Sequence, residues 1–172
     1  NNTLIGYQSG KVTTGADNTY LGFSAGKGAS GADANNVGVG SNALLAITTG
    51  SVNTAIGSGS MDAITIGKYN TAVGFETLHN DVAGQESTAI GYAALHKQDM
   101  GDSLLSSNNT AVGTAAGYHN VTGTNNTYVG LQAGKGATGQ SNSNNTGMGT
   151  DALLAVTTGG SNVAIGATSM VT

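Results

Sequence analysis

Three histidines, nine carboxylates and five lysines carry most of the acid–base and charge chemistry open to this 172-residue chain, which has no cysteine. Without thiols there is no disulfide framework and no thiolate-held metal. His79, His96 and His119 are read as falling at different phases of the repeat described below. None has a partner at metal-ligating spacing, so each reads as a surface or turn side chain. The carboxylates (Asp17, Asp33, Asp62, Glu76, Asp81, Glu86, Asp99, Asp102 and Asp151) are isolated in sequence. Glycoside hydrolysis needs two of them across one cleft. Stacked coils can bring a pair together, Glu76 with Glu86 for instance, yet nothing in the sequence selects that pair. The lysines of Gly26-Lys27-Gly28 and Gly134-Lys135-Gly136 lack the GxxxxGK[ST] frame of a phosphate loop and read as turns. The nine-residue Asp-bearing repeat of calcium-binding solenoids is also missing. The expectation is a protein that is not an enzyme and uses no cofactor or metal.

Composition narrows the partners. Charged residues make up 8% and the net charge is −4, with no arginine. Neutralising phosphates takes clustered cations, and Lys11, Lys27, Lys68, Lys97 and Lys135 are scattered, so no nucleic-acid partner is expected. No run approaches the eighteen or so apolar residues of a membrane-spanning helix, and no membrane insertion is expected. With 29 glycines and 5% aromatics, a thick core of large side chains is not available. The chain starts without Met or a signal peptide and reads as part of something longer.

What must position these residues is a repeat. The unit is Asn, Thr, a small residue, an aliphatic residue and Gly, starting at Asn2, Asn18, Asn36, Asn53, Asn70, Ser87, Asn109, Asn126, Asn145 and Asn162. Its closing glycines are Gly6, Gly22, Gly40, Gly57, Gly74, Gly91, Gly113, Gly130, Gly149 and Gly166, spaced by 16, 18, 17, 17, 17, 22, 17, 19 and 17 residues. A longer period overlies it: NTYLGFSAGKGAS at Asn18 returns as NTYVGLQAGKGAT at Asn126, 108 residues on. Six coils (1–108) are thus partly duplicated in 109–172, within one repetitive unit spanning 1–172. Periods of this length mean stacked supersecondary units, each unable to bury its apolar face alone.

Alternate residues of a strand share a face. Ile5, Leu21, Val39, Ile56, Val73, Ile90, Val112, Val129, Met148 and Ile165 are never polar and are expected to point into the core, as are the Thr or Val residues two positions earlier. The small residue between them (Ala55, Ala72, Ala89 and Ala111 among others) suggests close approach of another sheet or subunit. The motif glycines are expected to turn the chain, with φ above zero. Leu44, Met61, Leu78, Leu95, Leu153 and Met170 read as a second apolar rung, and Gly/Ser/Thr/Asn stretches as turns. Each leading Asn is placed to stack in a ladder that satisfies turn backbone. The fold class is therefore all-β, a parallel β-solenoid or β-roll of about ten coils of 16–22 residues. At about 4.8 Å per coil it would run roughly 50 Å.

The strings NTAIG, NTAVG, STAIG and NVAIG resemble the head repeat of YadA-like trimeric autotransporter adhesins. They are more similar still to the repeats of phage tail fibres and tail-fibre-like bacterial surface proteins, over nearly the whole chain. The resemblance implies a homotrimer of β-rolls, an extracellular place on a virion or cell surface, and attachment through a cell-surface glycan or protein receptor. The period is longer here than in the YadA-type repeat.

The 22-residue spacing contains the most charged stretch. Solenoid insertions map to surface loops, so His96, Lys97, Gln98, Asp99, Met100 and Asp102 are the candidate receptor contacts. Leu104 and Leu105 are candidates for a contact between subunits. Tyr7, Phe23, Phe75 and Tyr92, just after motif glycines, share the core-facing parity and are expected to pack. The alternative function is a monomeric ice-binding solenoid, which would need the Thr column (Thr3, Thr19, Thr54, Thr71, Thr88, Thr110, Thr127 and Thr146) to lie on a flat outer face. Val37 and Val163 interrupt that column and favour an inward position.

Overall fold

The computed structural model describes residues 1–28, 31–138, 141–157 and 159–171. Each motif folds as a three-residue strand, and consecutive strands pair in parallel with motif residues in register. In chain order these are β1 (Thr3–Ile5), β2 (Thr19–Leu21), β3 (Val37–Val39), β4 (Thr54–Ile56), β5 (Thr71–Val73), β6 (Gly84–Gln85), β7 (Thr88–Ile90), β8 (Leu105–Ser106), β9 (Thr110–Val112), β10 (Thr127–Val129), β11 (Thr146–Met148) and β12 (Val163–Ile165). All but β6 and β8 form one ten-stranded sheet in sequence order, and β6 pairs with β8 beside it. The chain is a parallel β-solenoid of about nine turns, all-β as expected.

The motif glycines keep the coils close. Gly57 and Gly74 have φ of 133° and 136°, and a Cβ on either would overlap the carbonyl of the next motif glycine. Only glycine accepts both conditions. Beyond that corner the wall is not a strand. Left-handed residues recur two and four positions past the glycine, as at Glu76 and Leu78 (φ 51° and 48°). The amides there bond to neighbouring coils in opposite directions: Glu76 N–H donates to Ser58 O at 3.0 Å, and Leu78 N–H to Ala94 O at 3.1 Å. Ordinary residues hold αL conformations here because every coil repeats the same bonds to both neighbours.

The expected parity is reversed. Ala55, Ala72, Ala89 and Ala111 are fully buried, whereas Ile56 is 40% exposed and Ile5 and Ile165 are 57% and 71% exposed. Leu21, Ile90 and Met148 are likewise exposed, and Val39, Val73, Val112 and Val129 only half-buried. The small residue faces the interior because the coil is thin. It lies against the second rung, where Leu44, Met61, Leu78, Leu95 and Leu153 are buried as expected, while Met170 in the last coil is exposed. The two walls trade volume. Tyr20 and Tyr128 point inward, and a Cβ on Gly26 or Gly134 opposite would overlap their rings. Where the strand supplies Gly38 or Gly147, the opposite wall supplies Leu44 or Leu153. The Gly-Lys-Gly segments are thus turns that make room for an interior tyrosine.

The Asn ladder forms. Asn53 N–H donates to Asn36 Oδ1 at 2.9 Å, and Asn53 Nδ2 donates to Gly67 O at 2.9 Å. The same backbone-to-side-chain bond links successive motif residues from Asn2 to Ser87 and again from Asn109 to Asn162. The one step without it lies between Ser87 and Asn109.

Candidate functional site

Counted from the motif glycine, positions five, six and seven read Leu45-Ala46-Ile47, Asp62-Ala63-Ile64 and Leu154-Ala155-Val156 in ordinary coils. In three consecutive coils they read His79-Asn80-Asp81, His96-Lys97-Gln98 and Tyr118-His119-Asn120. The sixth-position side chains are partly exposed, and the seventh is buried. This block brings all three histidines together, contrary to the expectation that they lie at separate phases. His79, His96 and Tyr118 share the fifth position, and His119 is one further on.

The fifth-position rings stack. His79 and His96 have centroids 4.9 Å apart, as do His96 and Tyr118, and His119 meets Tyr118 edge-on at 4.7 Å. His79 Nδ1 lies 2.9 Å from Asp62 Oδ1, and His96 Nε2 lies 3.3 Å from Glu76 Oε2. Burial lowers the His96 pKa, helped by neighbouring His79 and Lys97, and Glu76 only partly opposes this. Burial also raises the Asp62 carboxyl against the pull of His79. His119 is lowered by burial and by the ammonium groups of Lys135 and Lys97. Glu76 follows the strand glycine Gly74 by two residues and Glu86 directly precedes Ser87, which puts them at different corners of the coil. Among the described residues no group of three His, Cys, Asp or Glu side chains is arranged to hold a metal ion.

Behind the rings lies a polar network. Gln98 is fully buried. Its Nε2 donates to Asp81 Oδ2 at 2.6 Å and to Ser87 Oγ at 3.1 Å, and its Oε1 accepts from Asn109 Nδ2 at 2.8 Å. Ser107 Oγ joins Ser87 Oγ at 2.8 Å. Gln98 therefore replaces the side-chain half of the interrupted ladder, its Oε1 accepting from the Asn109 amide as an Asn Oδ1 accepts from the next Asn amide elsewhere. Asp81 Oδ1 also accepts from Gly84 N–H at 2.9 Å. Burial still pushes the Asp81 carboxyl up, with the Gln98 amide the strongest opposing influence.

The candidate receptor residues divide accordingly. Gln98, His96 and Met100 are buried, and only Lys97, Asp99 and Asp102 reach the surface. Asp102 and Leu104 are exposed just before β8 and Leu105 is exposed within it. Lys97 and Asp99 line a cleft of about 290 Å³ with Asn80, His119, Val121 and Thr138. Asn80, His119, Val121 and Thr138 were not foreseen, since they become neighbours only when coils stack.

A second surface lies along the sheet. Two residues apart, the Thr and aliphatic columns both face outward. Tyr7, Phe23, Phe75 and Tyr92 are also exposed rather than packed inside, and they stack in pairs on the outer surface at 5.5 and 5.7 Å. Their parity follows from that of the aliphatic column. No protein-family pattern, curated protein or solved structure matches this chain.

Proposed function

We propose that this chain is one protomer of a homotrimeric, non-enzymatic surface fibre for host or surface attachment, with the outer sheet face as the seam between protomers. The outward aliphatic column from Ile5 to Ile165 is the observation that carries this reading. It continues through exposed Leu131 and the aromatic pairs, with Val52 and Tyr69 exposed at the preceding corner. A continuous apolar stripe on a thin solenoid is what a soluble monomer avoids and an oligomer buries. Three copies around one axis would cover three stripes and leave the polar walls outside. An extracellular fibre on a virion or cell presents each surface three times, which raises avidity without tight single sites. The test is absolute mass in solution by light scattering: three times 16.8 kDa is expected, and a folded monomer would overturn it.

One observation favours a second reading. The Thr column faces outward, removing the reason for placing it in the core. A flat array of Thr and aliphatic side chains is suited to ordering water, as an ice-binding monomer requires. Thermal hysteresis that is present in a monomeric sample and lost in Thr71→Tyr would favour it over the fibre.

A further inference from the structure

We propose that the cleft between Asn80, Lys97 and His119 on one bank and Asp99, Val121 and Thr138 on the other binds a single pyranose ring of a surface glycan. The inference deepens the adhesive reading above and rests on it for its biological setting, whereas its chemistry stands on the cleft alone.

The first argument is departure from the repeat. The sixth position is Val12, Gly28, Ala46, Ala63, Gly136 and Ala155 in other coils, so the fold asks for nothing polar or long there. Asn80, Lys97 and His119 in three consecutive coils build one wall of a groove that small residues would leave flat. The facing wall comes from eighth positions of the same and following coils, so it is also held in register by the stack.

The second argument is chemical fit. A sugar ring presents apolar C–H faces edged by hydroxyls that both donate and accept. Lys97 supplies only donors and Asp99 only acceptors, while the Asn80 amide and the Thr138 hydroxyl supply both. Val121 gives an apolar contact. Partial burial, helped by the ammonium groups of Lys135 and Lys97, holds His119 toward its neutral form, in which one ring nitrogen accepts and the other donates. At about 290 Å³ the cleft has room for one ring. An isolated phosphate is disfavoured by Asp99.

The test is an NMR titration of the labelled 172-residue chain with the methyl glycosides of glucose, galactose, mannose, N-acetylglucosamine and glucuronic acid. At least one is expected to give saturable shifts at Lys97, Asp99, His119, Val121 and Thr138, with none along the strands. Lys97→Ala and Asn80→Ala restore the alanine that ordinary coils carry, and each is expected to weaken binding at least about tenfold without changing the melting temperature. Lys11→Ala, in the first coil, is expected to bind as the parent does. No shift with any of the five, shifts elsewhere, or unchanged affinity in both cleft variants would overturn the proposal. Light scattering on the same sample keeps the two readings apart. Trimeric mass without cleft shifts removes the cleft and leaves the fibre, and monomeric mass with cleft shifts does the reverse.

Discussion

Leu45-Ala46-Ile47 and His96-Lys97-Gln98 occupy equivalent places in their coils, yet one is ordinary solenoid and the other is a polar cluster. In the first, Ile47 fills the interior and the Asn36–Asn53 bond runs beside it. In the second, Gln98 fills the same interior position and bonds to Asp81, Ser87 and Asn109. Up to this position the backbone bonds are kept, Ile47 N–H donating to Leu44 O and Gln98 N–H to Leu95 O, and the longer coil departs only after it. The solenoid therefore asks two things of a coil: a matched interior volume and partners for most of the polar groups it buries. Either an isoleucine beside an intact Asn ladder or a glutamine inside a patched one will serve. The polar coils already carry two buried atoms without a protein partner, His96 Nδ1 and Asn120 Oδ1, and each further loss adds to that cost.

The largest effect should come from what the two regions share. Gly74→Val meets the carbonyl of Gly91 and a φ of 136°, and is expected to cost more than about 4 kcal/mol and abolish cooperative unfolding by urea. Next, Gln98→Leu should remove about 3 kcal/mol by leaving Asp81 Oδ2 without its donor and taking one of the two acceptors from the Asn109 amide. Adding Ser87→Asn, which restores the ladder residue, should return a measurable part of that loss. If the double variant is no better than the single one, Gln98 does not stand in for the missing ladder residue. In the ordinary region, Asn53→Ala should cost about 2 kcal/mol, against under about 1 kcal/mol for Ser87→Ala, whose hydroxyl has less to hold.

The smallest effect is a pH dependence confined to the polar coils. His96 and His119 bind protons less readily folded than unfolded. Stability is therefore full above the unfolded value of about 6.5 and falls as acid is added. Asp62 and Asp81 bind protons more readily folded, so stronger acid, toward the ordinary carboxylate range, works the other way. Melting temperature should drop by a few degrees from pH 7 toward 5 and flatten below. His96→Leu, which installs the Leu45 residue type, should reduce the drop.

The strand positions, the turn glycines, the second apolar rung and the Asn ladder were legible because each repeats at one spacing with one residue type. The facing of the strands was not. In Thr-Ala-Ile the aliphatic residue is the natural choice for the interior, and three residues are too few for alternation to decide. The signal that decides it is size compensation: Tyr20 goes with Gly26 and Tyr128 with Gly134, whereas Ala55 goes with Met61 and Ala72 with Leu78. Residues that trade volume face each other, and Ile56 trades with nothing. Gln98 and Met100 were misplaced for a related reason, since an insertion reads as surface unless the missing Asn at Ser87 is noticed beside it. The cleft was hidden because Asn80, Lys97 and His119 align only when counted from the motif glycines across uneven spacings.

The direction of the coil-to-coil hydrogen bonds has a mechanical consequence. They run along the long axis, so tension applied between the ends loads the coils in series. Peeling one 17-residue coil gives up about 5 Å of axial rise and releases about 55–60 Å of chain. Such a segment would yield stepwise and lengthen under a pull that would snap a brittle tether. An optical trap would register that as a ladder of nearly equal extension steps, with the coil braced by Gln98 parting from the rhythm.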